Sequence, residues 1–324
     1  PLSSSPFTYS FNSALQSNGT HSLSAEATNT SGLTKTSQAI TFIIQNVTAA
    51  PVSVIKPTST PPLASPTQSP PTAVVPLPVL ATSVSTIMPV VPNTSWDWQI
   101  GVSGAISTAN LDKSSNSHKL IDIDVEARSA TEVDALKAKG YIVICYMSAG
   151  TYENWRTDAG SFPSTVLGSN VSGWAGERWL DIRSSSVLTI MESRMNNMVS
   201  KHCSGVEADN VDGYTNSPGF PLTSSDQLTY NTSLANQAHA RGLSIALKND
   251  IDQVAQLQPK FDFAINEQCV AYNECDAYVP FTSNGKAVLN AEYSATKCSL
   301  TNSYNIDSVL FALNLDNSKY KSCR

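Results

Sequence analysis

The chain has 324 residues, a formal net charge of −6 and six cysteines. That length suits two ordinary domains, and the mild acidity argues against a nucleic-acid partner, because phosphate binding needs clustered Lys and Arg that are not found here. The longest apolar stretch, AVVPLPVLATSVSTIMPVVP, carries four prolines and does not suit a membrane-spanning helix.

Charge and proline are unevenly shared along the chain. Through Ser95 it holds thirteen of its eighteen prolines and three charged residues, Glu26, Lys35 and Lys56, while the remainder carries a formal charge of −7. Residues 7–45 alternate as strands do, in FTYSFNSAL, HSLSAEATN and SQAITFIIQ, with turn signals at SNGT and TSGL. The stretch resembles the C-terminal half of a bacterial immunoglobulin-like module, so residues 1–48 read as a partial β-sandwich with too few strands to close a core. Pro1 falls in what reads as the middle of that domain, with no leader pattern before it. Residues 49–95 are Pro, Ser, Thr and Val with one charged residue and no glycine, a composition for an extended tether.

From Trp96 to Arg324 short apolar runs alternate with helical patterns. Eight strand candidates stand out: WDWQI, LIDIDV, YIVICYMS, GVEAD, LSIALKN, FDFAINE, AVLNAEY and SVLFALNL. Between them, Ser129 and Glu132 form a capping box with Gly140 at the helix stop. Val187, Ile190, Met191, Met195 and Met198 make one apolar face, and Ser224 with Gln227 is read as the cap of a further helix. The α/β alternation predicts a (β/α)8 barrel of the TIM type over 96–324. A barrel gathers the C-terminal ends of its strands at one face, which would bring Asp124, Ser148, Asp209, Asn249, Glu267, Glu292 and Asn314 together.

Strand alternation then assigns sides. In GVEAD, Val206 and Ala208 face the helices, which leaves Glu207 deep in the lumen, Asp209 near its top and Asp212 in the loop beyond. Lys248 shares the parity of Ala246 and points inward, where its charge would keep neighbouring carboxylates ionised. Two carboxylates suffice for glycoside hydrolysis, and Trp96, Trp98, Tyr146, Trp155, Tyr214, Tyr272 and Tyr293 at strand ends offer rings for stacking on sugars. No G-x-S-x-G elbow, H-E-x-x-H motif or phosphate loop occurs, so a serine hydrolase, a zinc site or a nucleotide cofactor is unsupported. His239 reads as placed for the C-terminus of its helix.

None of the six cysteines forms C-x-x-C, which favours disulfides and an extracellular setting. Cys269 with Cys275 is the first choice of bridge, Cys298 with Cys323 the second and Cys145 with Cys203 the third, Cys145 reading equally as a buried thiol.

The successive motifs WDWQI, DIDVEA, VICYMSAGTYENWRTDAGSFP, GWAGERWLDIRS, GVEADNVDGY, QAHARGLSIALKND, FDFAINEQC, YNEC and KAVLNAEY resemble glycoside hydrolase family 114, the endo-α-1,4-polygalactosaminidases. The resemblance implies a secreted enzyme, expected as a monomer and without a cofactor, that cuts galactosamine-containing polysaccharide internally. It places the catalytic pair on Asp209, as nucleophile, and Glu267, as acid/base. Around them Asp124, Tyr146, Glu153, Asp181, Lys248, Asn249 and Glu292 are expected nearest, with Trp98, Trp155, Asp212, Tyr214 and Tyr293 completing the substrate contacts. Asp181 reads rather as a cap for the next helix than as a substrate contact. One difficulty arises from parity: if Phe261, Phe263 and Ile265 face outward, Asn266 enters the lumen and Glu267 needs a bulge. In that case Glu292 or Asp212 gains ground as the partner. The alternatives are a barrel glycosidase on another α-linked galactose or hexosamine polymer, and a barrel that holds glycan without cutting it.

Overall fold

The computed structural model describes residues 19–24, 26–28, 34–36, 40–44 and 87–324. Two compact units divide the chain, Pro1–Leu77 and Pro78–Arg324. In the first, Gly19–Leu23 pairs antiparallel with Ile40–Ile44, and Glu26–Thr28 with Thr34–Thr36. The strand expected at 7–15 and residues 49–86 of the tether lie outside the described residues.

The second unit is α/β, built on a nearly closed, barrel-like sheet of nine strands. Eight are parallel and neighbour one another in chain order: β1 (Ser95–Gln99), β2 (Lys119–Asp124), β3 (Ile142–Ser148), β4 (Gly205–Asp209), β5 (Ser244–Lys248), β6 (Phe263–Glu267), β7 (Val288–Glu292) and β8 (Asp307–Phe311). Five fall within the runs read from the sequence, and β1, β2 and β8 each begin one residue before theirs. The ninth, Tyr320–Ser322, pairs antiparallel with β8. Side chains link the sheet's ends: the Trp96 indole donates to the Asp307 carbonyl at 2.8 Å, and the Tyr320 hydroxyl to the Trp96 carbonyl at 3.1 Å.

Apolar residues occupy both faces of the sheet, as parallel strands covered by helices require. Inside, Trp96 meets Phe311 edge-on at 5.1 Å, and Trp98, Leu120, Ile144 and Phe263 fill the space around them. Outside, the whole face Val187, Ile190, Met191, Met195 and Met198 of helix Ser185–Ser200 is buried. The capping box of Ser129 and Glu132 is present at helix Ala130–Ala138. Helix Ser224–Ala240 starts one residue earlier than read: Thr223 with Asp226 forms its capping box, and Gln227 is instead buried, donating to Asn231 at 2.9 Å. The His239 imidazole, in the last turn of that helix, pairs with Asp262 at 2.9 Å.

All three expected disulfides form: Cys269–Cys275, Cys298–Cys323 and Cys145–Cys203. The last joins residues 58 apart and restricts the unfolded chain most, by about 4 kcal/mol on the loop-entropy argument. A small sheet of Thr151–Glu153, Glu177–Leu180 and Leu167–Asn170, inserted between β3 and helix Ser185–Ser200, was not legible in the sequence.

Candidate active site

Three consecutive strands deliver the central groups. Along β4, Val206 and Ala208 pack against the helices, so Glu207 and Asp209 enter the lumen. On β5 Ala246 belongs to the inner core and Lys248 follows it inward. On β6 the expected parity is corrected. Phe263 and Ile265 belong to the inner core with Ala246 and Ala291, Ala264 belongs to the outer one, and Glu267 reaches the lumen by plain alternation without a bulge. Phe261, two residues before the strand, does pack on the outer side.

Lys248 is the hub. Its Nζ lies 2.8 Å from Asp209, 3.1 Å from Glu267 and 3.3 Å from Glu207, and 4.9 Å over the Trp98 ring. Burial alone would depress this ammonium, but the three carboxylates outweigh it and hold it well above the usual lysine range. Each outer carboxylate has a phenol of its own. The Tyr146 hydroxyl donates to Asp209 at 3.0 Å and the Tyr293 hydroxyl to Glu267. Both phenols are pushed up, first by loss of water and then by those carboxylates. Asp209 also accepts from the Asn210 backbone at 2.8 Å, and the Asn249 amide oxygen accepts from the Glu267 backbone at 3.0 Å. Asn249 and Asn210 both sit at positive φ, where the chain turns sharply at the strand ends.

Glu267 opens onto a cavity of about 420 Å³ that five acids share with Asn249: Asp212, Asp250, Asp252, Glu267 and Glu274. Among the described residues no Lys or Arg lines it. Asp212 is pushed up to about 6 by loss of water and then by the Asp209 charge, and Asp250 to about 7 by burial and then by Asp212. The Tyr214 phenol is raised too, by burial and by Asp250. Tyr272 is 66% exposed at the cavity's edge.

Several expected contacts serve other ends. Asp124 and Glu153 are claimed by Arg156, whose Nη1 meets Asp124 at 2.7 Å and whose Nε meets Glu153 at 2.8 Å. Asp181 clamps Arg183 at 2.7 Å, and the helix after it has Ser184 at its N-cap, so Asp181 is neither at the hub nor the cap. Glu292 lies in the outward register with Asn290; fully buried, it accepts from the Val270 backbone at 2.9 Å and so anchors the segment after β6. It is therefore not brought to the lysine hub. Trp96 and Trp98 are buried inside the barrel, with the Trp98 indole donating to Glu207 at 2.9 Å, so neither offers a face for stacking. Trp155 is 52% exposed.

The sequence reading missed Asp250, Arg156 and Asp122. LIDIDV did contain the last signal, since Asp122 shares the parity of Asp124 and is fully buried inside the sheet.

A barrel-like sheet with a carboxylate pair on one lysine at its strand ends suits hydrolysis of a glycosidic bond. Glycoside-hydrolase family GH114 matches residues 80–323. The chain belongs to this family. As a GH114 member it is a glycoside hydrolase. The crystal structure of Aspergillus fumigatus Ega3 in complex with galactosamine is similar at 36% identity and a TM-score of 0.66, covering 74% of this chain and 98% of its own. The glycoside hydrolase domain of PelA from Pseudomonas aeruginosa shares the fold at 12% identity and a TM-score of 0.53, over 71% of this chain and 98% of its own. Among curated proteins none matches.

Proposed function

We propose that this GH114 chain is an endo-acting hydrolase of α-1,4-linked galactosamine polymers, of the galactosaminogalactan type, with Asp209 as nucleophile and Glu267 as acid/base. The observation that carries this reading is the shared lysine. Two carboxylates at 2.8 and 3.1 Å from one nitrogen have their nearest oxygens no more than about 6 Å apart, which suits a retaining mechanism better than the roughly 6.5–9.5 Å of inverting enzymes.

The two roles follow from access. Asp209 is the less exposed carboxylate, 19% against 31%, and both of its oxygens are oriented by donors, as an in-line nucleophile needs. Glu267 faces the open cavity, where it can give a proton to the leaving oxygen and then take one from water. The substrate assignment rests on charge. A cavity with five acids and no base suits a polymer that carries ammonium groups, and the Ega3 structure holds galactosamine. The catalytic unit is taken as a (β/α)8 barrel of the TIM type, working as a monomer. Three disulfides, and no helix among the described residues long and apolar enough to cross a membrane, support an extracellular site of action. The N-terminal strands and Pro-rich tether then act as a spacer.

The test is kinetic. Asp209→Asn and Glu267→Gln should each lower release of reducing ends from deacetylated galactosaminan by at least about 10²- to 10⁴-fold with circular dichroism unchanged. Wild-type turnover in either variant would overturn the assignment, and equal rates on fully acetylated polymer would overturn the cationic substrate.

A further inference from the structure

The floor of the lumen holds an acid that the proposed chemistry does not use. Asp122 sits on β2 between Trp98 of β1 and Ile144 of β3 in the strand register. It is 0% exposed, and among the described residues no side chain donates a hydrogen bond to either of its oxygens. Beside it is Glu207, also 0% exposed. Glu207 Oε2 takes the Trp98 indole at 2.9 Å, while Oε1 faces Lys248 at 3.3 Å without a directed hydrogen bond.

Two adjoining, fully buried carboxylates do not both stay ionised, because each is shielded from bulk solvent and repels the other. A single proton resolves the conflict. It turns one orphaned acceptor of Asp122 into a donor and gives the Glu207 carboxylate a further hydrogen bond. The proton belongs on Asp122, since Glu207 has Lys248 in ion-pair range and the Trp98 indole to hold an anion, whereas Asp122 has no side-chain donor and only the weak pull of the Ile123 backbone and the more distant Lys248 charge. Burial, and then the Glu207 charge, also drive Asp122 well above the usual carboxylate range. The other charged or titratable groups around the pair are Lys248 of β5, Asp209 of β4, Glu267 of β6, Tyr146 of β3 and Tyr293 after β7.

We propose that Asp122 is a positioning residue: carried as the neutral acid, it donates its proton in a hydrogen bond to Glu207 and thereby fixes Lys248 between Asp209 and Glu267. Without that donor Glu207 must either take a proton itself, and release Lys248, or stay charged and draw the ammonium down toward the floor. Both outcomes loosen the spacing of the carboxylates above. The kinetic part of this inference rests on the proposed roles of Asp209 and Glu267; the protonation part does not.

Two variants and one spectrum test it. Asp122→Asn keeps a donor facing Glu207 in the same volume, and Asp122→Leu removes it. Infrared spectra of the parent taken above the pH range in which Asp250 titrates should still show the carbonyl stretch of a protonated carboxylic acid, and the difference spectrum against Asp122→Asn should assign that band to Asp122. On deacetylated galactosaminan, Asp122→Asn should stay within about threefold of the parent kcat, whereas Asp122→Leu should lose about 10- to 100-fold with KM little changed, the scale of a misplaced catalytic group. Thermal melting checks that each variant is folded, and if Asp122→Leu does not fold, the band and Asp122→Asn still decide. Absence of the band, full kcat in Asp122→Leu, or a folded Asp122→Asn as impaired as the leucine variant would overturn the proposal. The spectrum needs no substrate, so a missing band condemns this proposal alone, while an intact band in an enzyme inert on galactosaminan condemns the substrate assignment instead.

Discussion

Two acidic clusters flank the hub, and they are opposites. Beyond Tyr146, Asp124, Glu126 and Glu153 converge on one guanidinium, that of Arg156, at 2.7 to 3.1 Å, and Arg156 also lies 5.7 Å over the Tyr146 ring. Beyond Glu267, Asp212, Asp250, Asp252 and Glu274 line an open cavity and form no ion pair among the described residues. The same residue types therefore do two jobs. Where a cation is built into the chain the acids hold the structure and orient Tyr146; where none is, they are open to the cationic polymer of the proposed function.

The largest consequence of that contrast concerns Arg156. Removing it as Arg156→Met leaves Asp124 and Glu126 without a counter-charge around a site only 10% exposed, and Glu153 with Arg194 alone, at 3.9 Å. Breaking a buried pair from one side costs about 3–5 kcal/mol, so urea unfolding at neutral pH should show a loss of that order, together with a fall in kcat as Tyr146 loses its support. Unchanged stability would mean that this cluster is as unpaired as the other.

Much of this division is written in the sequence, but not all of it. GVEAD could be read correctly because only one of its parities is charged, so the inward side was unambiguous. FDFAINE could not, because both faces of a parallel strand are apolar and parity alone does not say which apolar set is inside. The barrel interior is aromatic, with Trp96, Trp98, Phe263 and Phe311, and Phe263 had been read as facing out. Arg156 escaped notice because Asp124 and Glu126 lie some thirty residues upstream of it, with all of β3 between. Trp98 was misread for a related reason, since proximity to a strand end says nothing of depth once the ring turns inward.

A smaller effect should appear in Asp250→Asn, and with opposite sign to Arg156→Met. Asp250 is 2% exposed and pushed up to about 7 by burial and the Asp212 charge, from an ordinary value of 3.8. The folded chain thus binds a proton at this site more tightly than the unfolded one. Its stabilising contribution is complete below about pH 4 and is lost as pH rises through about 7. At pH 8 the parent carries a buried charge there that the asparagine variant does not, so Asp250→Asn should be more stable by on the order of a few kcal/mol, and the difference should vanish near pH 4. Denaturation series at the two pH values would show it; a variant that is less stable at pH 8 would mean that a cation already neutralises this cluster.

The smallest effect tests whether the open cluster meets the substrate at all. Asp252 is exposed and Glu274 is half-buried, so water screens each of them and either is worth at most about 1 kcal/mol to a bound ammonium. Asp252→Asn and Glu274→Gln should therefore raise KM for deacetylated galactosaminan by no more than about fivefold each, with kcat nearly unchanged. Salt separates this from a general loosening of the cavity. For the parent, KM should climb between low and physiological ionic strength, and that climb should be shallower in the double variant, because two of the charges being screened are gone. A KM that ignores both salt and the substitutions would assign the open acids to solvent, and the contrast between the two clusters would lose its functional half.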